Sequence, residues 1–446
     1  MKKITLLLLL LFVFTKTICA SSNDSYDGTI WQVNYSDGEQ ILLKLSLNKR
    51  AFSLYSRKGS TRDILGPKAA LGNIIGKVNA HTIEIKGDYL LKNDTLFLEG
   101  VYESLTSKQK FEGIIFNSKF EGTLEAFSMT GEQTDSFKPL DDYYELTKMA
   151  IDTVERYLFN PEILKSKKWN NIKKKTLKIS QKVVDDYEYK TLFNFYGRQL
   201  PFTHFGMLPS YSSRSSSSNT PKKKVSKFSI KEINKNTVLF DVNSFSASAD
   251  EINPYIDTLK SMQFDNLIID LRDNYGGSVS SAMPLARYLV KEKLYGGVFL
   301  TKKYFDQHTE LPQIEDYNSF KEFSEASFSM IISGIRNHEG LCLTVRPDEQ
   351  TFDGNIYVLT NGNTASTCEP LVYGLKHAKR AVIIGEITAG QMLNGEKFTM
   401  NSKYDLFLPT ADYYTVDGAK IDKIGVTPHI ETASKDALKR VLEIIN

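Results

Sequence analysis

The sequence predicts two folds in series: an antiparallel all-β unit, then an α/β unit led in by helices. Three changes in apolar spacing carry that prediction. From about Ser22 to Phe127, short runs of period two alternate with turn signals. From Asp141 to Gly197 the period lengthens to that of an amphipathic helix. Beyond about Asn236, buried-strand runs alternate with helical ones, as in a sheet covered by helices.

In the first stretch the runs are "WQVNY", "QILLKLSL", "AFSLYS", "NIIGKVN", "TIEIKG", "TLFLEGVY", "KFEGIIFN" and "FEGTLEAF". Turns such as "SDGE" and "LKND" join them, which suits a meander closed as a small barrel or folded as a sandwich over residues 21–135. The fragments "LEG" (98–100), "FEG" (111–113) and "FEG" (120–122) recur unevenly, so the stretch is no solenoid. A structural or docking module is the expected role.

Ahead of it the chain opens "MKKITLLLLLLFVFTKTICASS": two lysines, an apolar run from Ile4 to Phe14, then small residues. This is the pattern of a secretory signal peptide over residues 1–20, too short to span a bilayer. Cys19 offers a lipoprotein alternative, opposed by Lys16 where a lipidation signal wants an apolar residue. Export to the periplasm or the cell exterior is therefore expected. The chain holds 56 Lys and Arg against 53 Asp and Glu, and cleavage near Ala20 would remove Lys2, Lys3 and Lys16. The charge then balances, and nothing argues for a nucleic-acid partner. Cys342 and Cys368 remain, enough for one disulfide but not for a framework of bridges.

The helical stretch (140–205) places Leu146, Ala150 and Val154 on one stripe, and Asn160-Pro161 starts the next helix. Further helices run through "WNNIKKKTLKISQKV" and "DDYEYKTLFNFYG". The segment 206–230 contains "PSYSSRSSSSNTPKKKVSK", a low-complexity tract expected to be a flexible loop. Residues 231–446 then form the α/β domain.

Two places in that domain could do chemistry. In "NGNTASTCEP", Ser366 stands three residues before Glu369, the spacing of a capping box at a helix start. In "LRDNYGGSVSS", Asn274-Tyr275-Gly276-Gly277 follows the strand "NLIID" and makes a tight turn with outward N–H groups. Such a turn is a strand–helix connection, and also a ready oxyanion hole when a nucleophile lies on the neighbouring unit.

The successive motifs "IIDLRDNYGG", "YVLTNGNTASTCEP", "AVIIGEITAG" and "KIGVTP" resemble those of the C-terminal-processing (tail-specific) serine peptidases, over roughly Asp142 to Ile445. The resemblance implies a crotonase/ClpP-like stack of ββα units acting on protein or peptide substrates without cofactor or metal. It implies Ser366 as nucleophile. The lysine with which most of the family pairs its serine is absent, since Gln391 occupies that position. Lys397 is expected to be a surface residue. The chain is similar instead to the branch that includes the tricorn core protease, which uses histidine. By that resemblance His204 is the general base, with Thr203 beside it and Asp422, where the branch carries a glutamate, orienting the ring. The backbone N–H groups of Thr367 and of Gly276 or Gly277 would hold the developing oxyanion. Glu369 is expected to be structural, and Arg272 to brace the glycine turn.

The types suit the chemistry. A serine hydroxyl needs a base to take its proton, and histidine titrates near neutrality, so it can accept that proton and return it to the leaving group. A second Ser-rich stretch, "NSFSASADE" (243–251), imitates the nucleophile motif, but Ser246 and Ser248 are read as the start of a helix. The other histidines (His81, His308, His338, His377, His429) show no metal-ligand spacing. The short stretch between His204 and Asn236 leaves no space for the PDZ domain that family members often insert. A retired binding protein on the same fold, or an esterase, is the alternative function.

Overall fold

The computed structural model describes residues 25–57, 59–60, 64, 83–103, 108–125, 127–210, 226–324 and 328–445. The stretch read as a signal peptide, the run "NIIGKVN" and most of the Ser/Lys tract lie outside them. The described residues fall into two compact units, the first ending at Leu140 and including Val184–Tyr187, the second comprising the rest.

The first unit is a closed antiparallel barrel, which resolves the choice between barrel and sandwich. Its strands are β1 (Ile30–Tyr35), β2 (Gln40–Asn48), β3 (Ala51–Tyr55), β4 (Glu84–Lys92), β5 (Thr95–Glu103), β6 (Lys108–Phe116), β7 (Lys119–Leu124) and β8 (Phe127–Thr134). Each pairs with the next, and β8 closes on β1 with Val33 opposite Gly131. The interior is filled: Trp31, Phe111 and Phe120 are fully buried, and Phe111 stacks on Phe120. The recurring "FEG" fragments have a packing reason. Gly113 and Gly122 face each other across β6 and β7, and a Cβ on Gly113 would stand 2.8 Å from the Phe111 ring.

The second unit begins with α1 (Tyr143–Tyr157), α2 (Pro161–Lys165), α3 (Lys167–Ser180) and α4 (Asp186–Gly197). Leu146, Ala150 and Val154 are buried along α1 as their spacing requires, and Asn160 caps α2 with Pro161 at its first position. Chain 206–230 is less of a loop than expected, because β9 (Gly206–Pro209) pairs with a later strand and β10 (Phe228–Asn234) begins before the tract was expected to end.

Beyond it runs a six-stranded sheet of order β10-β11-β12-β16-β17-β20, with β11 (Thr237–Val242), β12 (Asn266–Asp270), β16 (Asn355–Thr360), β17 (Val382–Gly385) and β20 (Ile430–Glu431) parallel. A second sheet contains β13 (Leu294–Thr301), β14 (Lys321–Phe323), β15 (Gly340–Val345), β18 (Leu393–Thr399) and β19 (Tyr404–Tyr414) in the order β14-β15-β13-β19-β18. Helices α5 (Ala249–Ser261), α6 (Val279–Leu289), α7 (Lys302–Gln307), α8 (Phe328–Asn337), α9 (Cys368–His377) and α10 (Ala437–Ile445) complete the unit. The strands of the parallel sheet are buried on both faces and accordingly read as continuous apolar runs. Because β12 and β16 are parallel and in register, Asp270 lies opposite Leu359, and the segments leaving both strands emerge side by side at their carboxyl ends. Crevices at such strand ends are where open α/β sheets bind ligands.

Candidate active site

The segment leaving β16 carries Ser366. Its backbone is in the left-handed region (φ 54°), unusual for a residue with a side chain. The capping-box question has a divided answer. The Ser366 N–H donates to Glu369 Oε2 at 3.1 Å, but α9 starts at Cys368, with Thr367 at the cap and no side-chain cap bond. The carboxylate half of the box is used and the hydroxyl half is not. Glu369 is fully buried and accepts three further bonds, from Thr388 Oγ1 (2.6 Å), Gly390 N–H (2.8 Å) and Gln391 N–H (2.8 Å). Burial raises its carboxyl pKa, against the opposing pull of those donors.

The segment leaving β12 is sewn to this turn. The buried Asn274 side chain donates to the Val242 carbonyl and accepts the Gly276 N–H at 2.9 Å. Its own carbonyl accepts from Ala365 N–H (3.0 Å), and Thr367 Oγ1 donates to the Gly277 carbonyl (2.7 Å). The fit is tight enough to require glycine: a Cβ on Gly276 (φ 87°) would stand 2.7 Å from Ser366 Cβ and 3.0 Å from the Thr367 nitrogen. The turn distinguishes the two glycines. The Gly276 N–H is taken by Asn274, whereas the N–H groups of Gly277 and Thr367 have no partner among the described residues.

His204, expected on the helical lead-in, lies beyond the end of α4 in the bends before β9, at φ 58°. Three hydrogen bonds fix its surroundings. Asp422 accepts the Thr203 N–H at 3.0 Å and also the Thr203 hydroxyl; Thr203 Oγ1 meets His204 Nδ1 at 2.8 Å. A hydroxyl has one proton to give. With that proton on Asp422, Thr203 Oγ1 accepts from Nδ1–H, and the bare lone pair of the ring is on Nε2. Asp422 thus acts on the ring through Thr203 and not by direct contact. The half-buried ring lies against Phe407, 5.4 Å between centroids, and burial pushes its pKa down to about 4. It is neutral at pH 7. Burial also raises the Asp422 carboxyl, opposed by its two bonds from Thr203.

His204, Ser366, Gly277 and Thr367 line one cleft of about 470 Å³. No hydrogen bond joins the side chains of Ser366 and His204. Apolar groups from α8 and β18, including Ile331 and Leu393, line the same space. So do Arg336, bound to the buried Glu396 at 2.6 Å, and Lys397, which is exposed but borders the cleft. Arg272 braces something other than the glycine turn: it grips both oxygens of Asp270 and the Ser434 carbonyl. Ser248 does start a helix, in a capping box with Glu251.

Sequence reasoning missed the role of Asn274, although asparagine in a tight turn is a known signal for side-chain-to-backbone bonding. It also missed Lys423, whose Nζ bonds the Leu200 carbonyl while its N–H bonds Gly390, tying the Asp422 loop to both neighbouring segments. Cys342 and Cys368 are buried free thiols, with no bridge between them. Among the described residues no His, Cys, Asp and Glu cluster could hold a metal, and no helix is long and apolar enough to cross a membrane.

Residues 236–432 match peptidase family S41, a span that includes Ser366 and Asp422 and begins after His204. The chain is 28% identical over 189 residues to carboxyl-terminal-processing peptidase 2, chloroplastic, of Arabidopsis thaliana, covering 42% of this chain and 29% of that protein. It is 27% identical over 188 residues to a carboxyl-terminal-processing protease of Picosynechococcus, covering 42% and 37%. The chain therefore matches about a third of the length of these relatives. A lipoprotein from Streptococcus agalactiae aligns with a TM-score of 0.48 at 17% identity, over 70% of this chain and 98% of that one.

Proposed function

We propose that the chain is an exported serine peptidase with Ser366 as nucleophile and His204 as general base, on the premise that residues 236–432, which match peptidase family S41, carry the activity. The observation that carries the reading is the series Asp422–Thr203–His204, which keeps the proton of the half-buried, neutral imidazole on Nδ1 and leaves Nε2 as its basic atom, in the cleft that Ser366 lines.

Nε2 takes the Ser366 proton as Oγ attacks the scissile carbonyl, once side-chain movement has brought the two into hydrogen-bond range. Charge gathers on the former carbonyl oxygen and is received by the Gly277 and Thr367 N–H groups and the positive end of α9; losing one such donor typically costs about 10²–10³ in rate. The imidazolium then protonates the leaving amine. An acyl-enzyme on Ser366 remains, which water hydrolyses by the same steps. Thr203 and Asp422 are positioning residues, keeping the proton on Nδ1 and stabilising the imidazolium through the hydroxyl.

Signal-peptide cleavage near Ala20 would deliver the enzyme beyond the membrane. The stretch between His204 and Asn236 is too short for a PDZ domain that would grip a terminal carboxylate there, so amidated and free-acid peptides should be cleaved alike. The deciding experiment is labelling of the full chain with a fluorophosphonate. Modification should be lost in Ser366→Ala and strongly slowed in His204→Ala, and no modification of the wild type under any condition would return the chain to a binding role.

A further inference from the structure

α3 breaks two local rules of helix electrostatics. Between Lys165 and Lys178 the chain carries seven lysines and no acid. Lys167 and Lys168 stand in the first turn of the helix, the end whose dipole disfavours cations. Lys174 and Lys178, four apart, and Lys175 and Lys178, three apart, set like charges side by side on the helix surface, where opposite charges would stabilise it. What holds the helix is its other side: Trp169, Ile172, Thr176 and Ser180 are buried, and Ser166 caps the first turn. A local conflict with no gain in the fold to set against it is expected where function asks for it.

The lysines share a face. At the angular step of an α-helix, Lys167, Lys174 and Lys178 fall within about 40° of one another, with Lys168 and Lys175 on their flank. All five are exposed, as is Lys182 just past the helix end. None of the six is ion-paired among the described residues. The acids of α1 and α2 serve other lysines: Glu162 holds Lys165, Glu155 holds Lys173, and Glu145 holds Lys148, on which Asp152 also acts.

The stripe is about 20 Å long. The exposed residues among its lysines are Asn170, Asn171 and Gln181, so no exposed apolar side chain is there to fill a pocket or to sink among acyl chains. It contains no arginine, the residue of fixed, bidentate contacts with phosphate or carboxylate; lysine is a hydrated point charge on a flexible stem. A row of such charges suits a partner whose negative groups are many and can shift to meet them. The headgroup layer of an anionic bilayer is such a partner, and each basic side chain at its surface adds to the attraction. The attraction is local, since the charge of the whole chain balances once residues 1–20 are removed.

We infer that α3 seats the protein on the surface of an anionic phospholipid bilayer through Lys167, Lys168, Lys174, Lys175, Lys178 and Lys182, without insertion. The contact does not depend on the peptidase reading.

The test uses the full-length protein with vesicles of phosphatidylcholine, alone or mixed with phosphatidylglycerol, at an ionic strength of about 0.02 M, where screening is weak. Acetylation of each lysine is followed by mass spectrometry. The six stripe lysines should react about fivefold more slowly on the anionic vesicles than on the neutral ones, and salt at about 0.5 M should abolish the difference. Lys435 and Lys439, exposed near the start of α10, should react alike on both. The apolar run at the chain start would hold the protein on either lipid, so the comparison reads the helix. In Lys167→Gln/Lys174→Gln/Lys178→Gln, the remaining Lys168, Lys175 and Lys182 should lose their protection. In Lys321→Gln/Lys435→Gln/Lys439→Gln, which gives up the same charge elsewhere, they should keep it. Equal acetylation of the stripe on both lipids overturns the inference, as does protection that survives in the first variant or disappears in the second. Protection by soluble poly-glutamate as strong as that by vesicles of equal anionic charge overturns it too, and assigns the stripe to an acidic polymer in place of a membrane.

Discussion

Replacing Gly276 by alanine should disable Ser366 although Gly276 itself gives no group to the proposed reaction, its N–H being bound to Asn274. The added methyl would stand 2.7 Å from both Ser366 Cβ and the Ala365 carbonyl oxygen. Carbon atoms rest at about 3.5–4.0 Å, so the two turns must separate by roughly 0.8 Å or more. Displacement of about 1 Å at reacting atoms costs about a hundredfold in rate. The position also has φ 87°, which an alanine adopts at a cost of about 1–2 kcal/mol. The variant should therefore melt a few degrees lower, at about 2–4 °C per kcal/mol for a unit of this size, and still fold. The measurement is the second-order rate of fluorophosphonate labelling. Gly362→Ala serves as comparison, because a Cβ there meets nothing within 4 Å. A hundredfold slower reaction is expected for Gly276→Ala and an unchanged one for Gly362→Ala. Labelling of Gly276→Ala within about twofold of wild type would refute the claim that this close approach sets the position of the nucleophile.

Three further outcomes are expected. The acid limb of kcat/KM should fall near pH 4, where His204 protonates, and not near 6.5; at pH 5.5 the neutral fraction is then about 0.97 instead of about 0.09, a tenfold difference in rate that a pH profile detects. Thr203→Val should lower kcat by about 10²–10⁴ with little change in KM, and Thr203→Ser should restore most of it; equal activity of the valine variant would remove Thr203 from the series. Glu369→Ala strands four donors, two of them in buried bonds and two in part-buried ones, so denaturant unfolding should show a loss of about 3–5 kcal/mol, and a loss below about 1 kcal/mol would contradict the role given to that carboxylate.

What could be read from the sequence was whatever local periodicity dictates. The α1 stripe, the Asn160-Pro161 helix start, the Ser248 capping box and the strand–helix alternation each follow from residues close in the chain. The closing barrel strand escaped because "FSMTGEQT" has little apolar alternation of its own and is mostly exposed; its pairing with β1 specifies it. At the site, the residues could be named from motif order, but not their geometry. The left-handed backbone at Ser366 and His204 is a property of turns that the folded surroundings impose. The passage of a bond from Asp422 through Thr203 to His204 joins positions more than two hundred residues apart, which no local pattern can announce. The competition of Asn274 for the Gly276 N–H is likewise visible only once the turn is built.

The environment of Glu369 bears on how this kind of catalytic centre can change its chemistry. What the buried carboxylate reads at position 391 is a peptide N–H, and every residue except proline supplies one. The side chain at that position is exposed and is free to be an amine or an amide while the turn beneath it keeps its shape. On the proposed reading, a lysine there could be lost and an imidazole from a distant part of the chain could take over proton transfer while the bonds of Glu369 to the turn stay as they are.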